Sequence, residues 1–324
     1  MKTRILFACT AVLFLSGCNT LKPINTDIYG YSLLMPVGAP TLSLYHEICV
    51  EDGLVTTNNP TLIPSEFTKN NYDFLVFDST QVTQKFEGKD TFNYEYEMML
   101  TGGSFHLISF GKTQNDYQNI DEKDYIISFG AESAAINKLY SSVYDVKIDE
   151  YVNSVSILLQ MLTKLDNNFS VEGKTIDYAL LSEPQVTVLK KIWQKNNLNF
   201  DNIFDINLQK EFKTNHKEWG FDYIPQAALY VNKEFKSKNN ELYLKIIDRI
   251  TSQIDNTIYN PDVVNTKINE TFKTSDEQKE VFGFTTEQVL EVQGNKNNGF
   301  GIVPTDIHRK INVESIKQYL ELIK

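Results

Sequence analysis

Residues 31–48 read YSLLMPVGAPTLSLYHEI. YSLLMP is an apolar run of strand length. Gly38-Ala39-Pro40 turns the chain, and TLSLYHEI then follows an amphipathic helical pattern. Pro40 suits the first turn of that helix, where its missing N–H costs nothing. LVTTN (54–58) reads as a second strand and PSEFTKNN as a short helix with Pro64 at its start. DFLVFDS (73–79) reads as a buried third strand. Strand, helix, strand, helix, strand with short loops predicts a parallel α/β sheet.

YEYEMML-TGG-SFHLISFG (94–111) breaks that rhythm, because two strand-like runs meet at Gly102-Gly103. Beyond it come a strand in DYIISFG (124–130), a helix in ESAAINKLYSSVY (132–144) and a helix in VNSVSILLQMLTK. TIDYALLS is a strand, and EPQVTVLKKIWQK is a helix with Pro184 in its first turn. QAALYVNKEF (226–235) returns to strand character, and long helical patterns cover 238–256 and 312–323. No repeat with a period of 20–50 residues marks a solenoid.

The length of 324 residues suits two ordinary domains, and 41% hydrophobic with 23% charged residues is a globular composition. A formal charge of -11 argues against nucleic acid, whose phosphates demand clustered Lys and Arg. It argues equally against electrostatic adhesion to anionic lipid. The chain opens MKTRILFACTAVLFLSG, with Lys2 and Arg4 ahead of a short apolar run. That is the anatomy of a secretory signal over 1–17, too short to span a bilayer. LSGCNT (15–20) then resembles the lipobox of bacterial lipoproteins, in which the thiol of Cys18 is acylated, by palmitate or a similar chain, and becomes the new N-terminus. The alternative is an ordinary signal peptide with an incidental Cys18. Residues 18–27 are the expected tether, within a polar stretch reaching residue 30. Of the other cysteines, Cys9 leaves with the signal and Cys49 stands alone as a small apolar residue. The histidines (His46, His106, His216, His308) are scattered singly, so no metal-ligand spacing and no cofactor is expected.

Four segments, in order, resemble the solute-binding proteins of bacterial ABC importers: GAPTLSL (38–44), TGGSFHLIS (101–109), DYALLSEPQVTVL (177–189) and IPQAALYVNKEF (224–235). With the lipobox they cover most of the chain. They are most similar to the nitrate/sulfonate/taurine and thiamine-pyrimidine-precursor group. The resemblance implies an α/β, two-lobe, type II periplasmic-binding fold, with lobe one at 28–106 and 230–324 and lobe two at 107–229. It also implies a ligand cleft between the lobes, a membrane permease and its cytoplasmic ATPase as partners, and a monomer anchored extracytoplasmically through lipid on Cys18.

The switch-point rule for open α/β sheets puts ligands at strand carboxyl ends. Candidate ligand residues are therefore Gly38, Ala39, Pro40 and Thr41 on the first turn, and Asp78, Ser79 and Thr80 after the third strand. Thr101 and Gly102 lie at the bend, which extends through Ser104. Gly130, Glu132 and Ser133 open the second lobe's first helix, and Glu183 ends a strand. Each also has a plainer reading, as a helix cap or a flexible bend. None of these turns carries Arg, and only Lys112 is close. Carboxylates with Tyr45, Phe77, Phe105 and Phe129 nearby suit a heteroaromatic or amine-bearing solute better than a small anion. Two other classes remain open: an enzyme on the same fold, and a surface adhesin or antigen lipoprotein. Against the enzyme stands the lack of a Gly-x-Ser-x-Gly elbow, a His-Glu-x-x-His helix and a Walker loop.

Overall fold

The computed structural model describes residues 30–50, 54–112, 119–132, 134–196, 203–294 and 298–324. The signal segment, Cys18, the tether 18–27 and Ser133 lie outside the described residues.

The opening pattern becomes β1 (Leu33–Pro36), β2 (Leu54–Thr57) and β3 (Phe74–Asp78), followed by β4 (Tyr94–Met99). After the bend come β5 (Phe105–Phe110), β6 (Ile126–Phe129) and β7 (Glu150–Val152). A small antiparallel pair, β8 (Ser170–Val171) and β9 (Lys174–Thr175), precedes β10 (Tyr178–Ser182), β11 (Ile203–Asn207) and β12 (Ala227–Asn232). They form two five-stranded sheets, ordered β2-β1-β3-β12-β4 and β11-β5-β10-β6-β7.

Read in the matching direction, the two sheets are the same object. Each has three parallel strands, then one antiparallel strand, then an outer strand antiparallel to that one. The reversed strand is β12 in the first sheet and β5 in the second, and each directly follows a crossing between lobes. No internal sequence repeat announces this likeness.

Helices cover both faces of each sheet, which is why the strands read as nearly continuous apolar runs. Alternation along β1 sends Leu33 and Met35 to one core and Leu34 to another. The core of Leu34 continues across the lobe junction to Leu107, Ile126 and Leu180. A third core, with Ile108, Ala179 and Leu181, fills the far face of the second sheet. The C-terminal helix Val313–Leu322 spans the junction. It packs on the helix Ser79–Lys85 of lobe one. Its Tyr319 ring meets Phe212 and Trp219 of lobe two, at 5.3 and 5.8 Å between centroids.

Two helices depart from their expected form. The segment after Pro40 is a 3-10 turn, Ala39–Leu44, and becomes α-helical only over Tyr45–Val50. The helix expected from Glu132 begins at Ala135, with Ala134 at its N-cap. Asn137 explains the delay: its side-chain amide donates to the Ala131 carbonyl at 2.8 Å and so ties the preceding turn into an irregular loop.

Candidate ligand site

Three chain segments meet between the lobes. Gly102 N–H donates to the Gly301 carbonyl at 2.7 Å, and Val303 N–H donates to the Leu100 carbonyl at 2.9 Å. Thr101 bridges Ile302, and its hydroxyl accepts from Ala227 N–H at 3.2 Å. The bend expected at Thr101 and Gly102 is thus a buried backbone junction. It touches the return crossing and a third pass, near residues 298–303, that the sequence did not single out.

The candidate turns occupy the carboxyl edges of the two sheets. Gly38, with φ of 120°, donates its N–H to the Phe282 carbonyl, while Pro40 and Thr41 are buried and Ala39 is half-buried. Asp78 caps the helix Ser79–Lys85, accepting from Thr80 N–H at 2.9 Å and Gln81 N–H at 3.1 Å. Ser79 N–H donates to the Gln226 carbonyl on the return crossing. Gly130 takes a left-handed φ of 77°, and Glu132 is exposed. Of the four aromatics, Tyr45 and Phe77 belong to the cores, whereas Phe105 and Phe129 are half-buried.

A cavity of about 650 Å³ opens beside the junction. Gly103 and Gly301 line it from the crossings, and Glu183 is the one candidate ligand residue that reaches it. The turns at 38–41, 78–80 and 130–132 do not line it. Glu183 caps its own helix: its carboxylate accepts from Thr187 N–H at 3.1 Å and from the Thr187 hydroxyl at 3.0 Å. Burial raises the Glu183 carboxyl above its ordinary value, partly offset by nearby His106 and by the Thr187 bonds.

His106 and Asp205 are diagonal neighbours on one face of the antiparallel β5–β11 pair, where His106 is registered with Asn207, and their Nδ1 and Oδ1 lie 2.6 Å apart. Lys190 holds the other carboxylate oxygen of Asp205. Burial pushes Asp205 up, but His106 and Lys190 outweigh it and hold the carboxyl at about 2. Lys112, the one cation expected near the cleft, instead pairs with Asp124 and Asp177 at the far end of β5. The cations on the cavity are Lys190 and Lys210. Lys190 sits on the helix Gln185–Lys195 and Lys210 on the helix Leu208–Asn215 that follows β11, so their meeting depends on tertiary packing that the sequence does not reveal.

Two further features bound the site. Lys191 on the helix Gln185–Lys195 pairs with Glu291 on the helix Thr286–Gln293, linking the lobes beside the cavity. A larger depression of about 940 Å³ runs along β4, and none of its lining comes from lobe two. Among the described residues, no group of His, Cys, Asp and Glu is placed to hold a metal ion. No helix among them is long and apolar enough to cross a membrane.

No family model and no curated protein matches the sequence. Solved structures do match. An ABC transporter protein from Parabacteroides distasonis superimposes with a TM-score of 0.59 at 12% identity, covering 90% of this chain and 91% of that one. The periplasmic aliphatic sulphonate binding protein from Escherichia coli gives 0.56 at 8% identity, over 90% and 92%. A Candida albicans protein described as having the generic periplasmic binding protein fold gives 0.51 at 10%, over 90% and 89%. At such identities the likeness is one of fold: the chain has the two-lobed periplasmic binding protein fold.

Proposed function

We propose that this chain is the solute-binding component of an ABC importer, anchored by lipid on Cys18 at the extracytoplasmic face of the membrane. It captures a small organic metabolite between its lobes and delivers it to a permease driven by a cytoplasmic ATPase, with no catalysis of its own. The observation that carries this reading is the pair of like sheets joined by chain crossings, with a cavity open at their junction. The first expectation for that solute is a heteroaromatic or amine-bearing metabolite, such as a thiamine-type pyrimidine. An organic anion such as a sulfonate stands second. Burying a carboxylate without a counter-charge is costly, and an amine on the ligand offsets that cost at Glu183, the acidic candidate that lines the cavity.

The test is mass spectrometry of small molecules released on unfolding the purified mature chain, followed by thermal-shift measurement with each one found. A stoichiometric solute that raises the melting temperature supports capture. A chain that yields no solute and responds to no pyrimidine, amine, nitrate or sulfonate refutes it.

A further inference from the structure

Helix Gln185–Lys195 of lobe two and helix Thr286–Gln293 of lobe one meet beside the cavity, in a manner unlike the rest of the lobe junction. Each turns its apolar side into its own lobe. Val186, Leu189 and Trp193 belong to the far core of the second sheet, whereas Val289 and Val292 belong to a core of lobe one. Neither core crosses between the two helices. Leu290, next to the contact, is left 41% exposed. The crossings, by contrast, are tied by buried backbone hydrogen bonds, and the core of Leu34 and Leu180 runs from lobe to lobe.

What joins the two helices is charge. Lys191 pairs with Glu291, and Glu287 lies one turn away on the same helix face. The Glu287 carboxyl sits below its ordinary value, chiefly through Thr285 and its own backbone N–H, with Lys191 and Lys279 adding to the effect. Lys191 and Glu291 are 54% and 29% exposed, so water can replace the contact without leaving a bare charge buried. Such a pair is worth little within a rigid body, but it counts where two arrangements of the lobes are nearly balanced. Lys190, the preceding residue, points about 100° around the helix and pairs with Asp205 at the cavity. One helix therefore carries cavity wall on one side and the contact with the other lobe on the next.

We propose that Lys191 and Glu291 form a latch, a reversible ion pair that holds the lobes together beside the cavity before any solute arrives. The crossings are the fixed side of the junction, and the latch is the side that parts when the lobes open. Its part in capture rests on the solute-binding reading; the latch itself does not. Exposed charges are screened by salt, so the latch weakens as ionic strength rises.

The test is single-molecule FRET on the mature chain without solute. Dyes are placed on Asn167→Cys and Ser252→Cys, exposed positions in lobe two and lobe one, in a Cys18→Ser, Cys49→Ser background. Lys191→Met is expected to raise the ratio of open to closed molecules by up to about fivefold, the range for an exposed ion pair. Lys191→Glu, which sets like charge against Glu291 and Glu287, is expected to raise it further. Combining Lys191→Glu with Glu291→Lys is expected to bring the ratio back toward wild type. Raising salt from about 0.05 to about 1 M is expected to open the wild type and to leave Lys191→Met unmoved. Lys195→Met, one turn along the same helix, is the control for lost charge and is expected to change nothing. All three side chains are solvent-facing, so the variants keep the wild-type circular dichroism. A distribution that neither salt nor Lys191→Glu shifts, a charge swap that restores nothing, or an equal shift in Lys195→Met overturns the latch. Its failure leaves the importer reading untouched, because no solute enters the measurement. A working latch in a chain that yields no solute counts against the importer reading instead.

Discussion

Replacing Gly102 by Ala places one methyl group at the point where the lobes meet. An ideal Cβ there stands 2.1 Å from the Ile224 carbonyl oxygen and 3.2 Å from its carbon and nitrogen. The obstacle is backbone, so no rotamer change relieves it. One of the two crossings must move by about 1 Å to restore ordinary contact, and interiors packed to crystal density resist this. That movement strains the 2.7 Å bond from Gly102 N–H to Gly301 and the bonds from Leu100 and Thr101 N–H to Ala227. Overpacking costs about 1–3 kcal/mol. Weakening two of these three buried hydrogen bonds adds about 1 kcal/mol each. The expected loss of about 3–5 kcal/mol is a large share of a typical stability of about 5–15 kcal/mol. Urea denaturation followed by tryptophan fluorescence reads it directly, because Trp219 lies beside the junction and Trp193 within lobe two. Gly88→Ala is the control: its Cβ meets nothing within 4 Å, so only the cost of a left-handed φ of 78° applies. That cost is about 1–2 kcal/mol. A Gly102→Ala loss no larger than that of Gly88→Ala would refute the view that the crossings are locked backbone to backbone.

Cys18→Ala is expected to release the protein from the membrane fraction or to leave an uncleaved precursor, read by fractionation and mass spectrometry. A processed variant still on membranes contradicts lipidation. Asp205, held at about 2, contributes stability in full above its unfolded value near 3.9. It loses that contribution as pH falls toward 2. Asp205→Asn is therefore expected to cost about 1–2 kcal/mol at neutral pH. Relative to wild type the cost should vanish between about pH 4 and 2 in denaturation midpoints. The Tyr319 hydroxyl is buried without a partner. Tyr319→Phe is thus expected to leave stability unchanged or raise it by about 1 kcal/mol, since only an unanswered polar group is lost; a clear drop in melting temperature would mean that the hydroxyl is satisfied in solution.

Much of the fold was legible because buried strands announce themselves. FLVFD, YALLS and AALYVN are near-continuous apolar runs, and each is a central strand flanked on both sides. The edges were not. β7 is only three residues long, and β11, IFDIN, mixes the charged Asp205 into its run, so neither rises above loop character in sequence. The candidate site inherits that blind spot. Glu183 stood out because it ends a strand before a proline. His106, Lys190 and Asp205 meet only through the β5–β11 register and the packing of the helix Gln185–Lys195, which local pattern does not encode. Asp78 and Glu183 both proved to cap their own helices, the plainer reading considered for each.

Strand order has a temporal side. Every strand of the second sheet lies between residues 105 and 207, whereas the first sheet lacks its fourth member until β12 is complete at Asn232. During vectorial synthesis, the half encoded in the middle of the gene is therefore the first able to close. The half begun earlier must wait with the outer strand β4 unpaired, because its partner in the sheet is β12. Such an open edge invites pairing with another chain. A nascent chain stalled before residue 227 would thus expose its vulnerable surface in the portion translated first, not in the portion just leaving the ribosome.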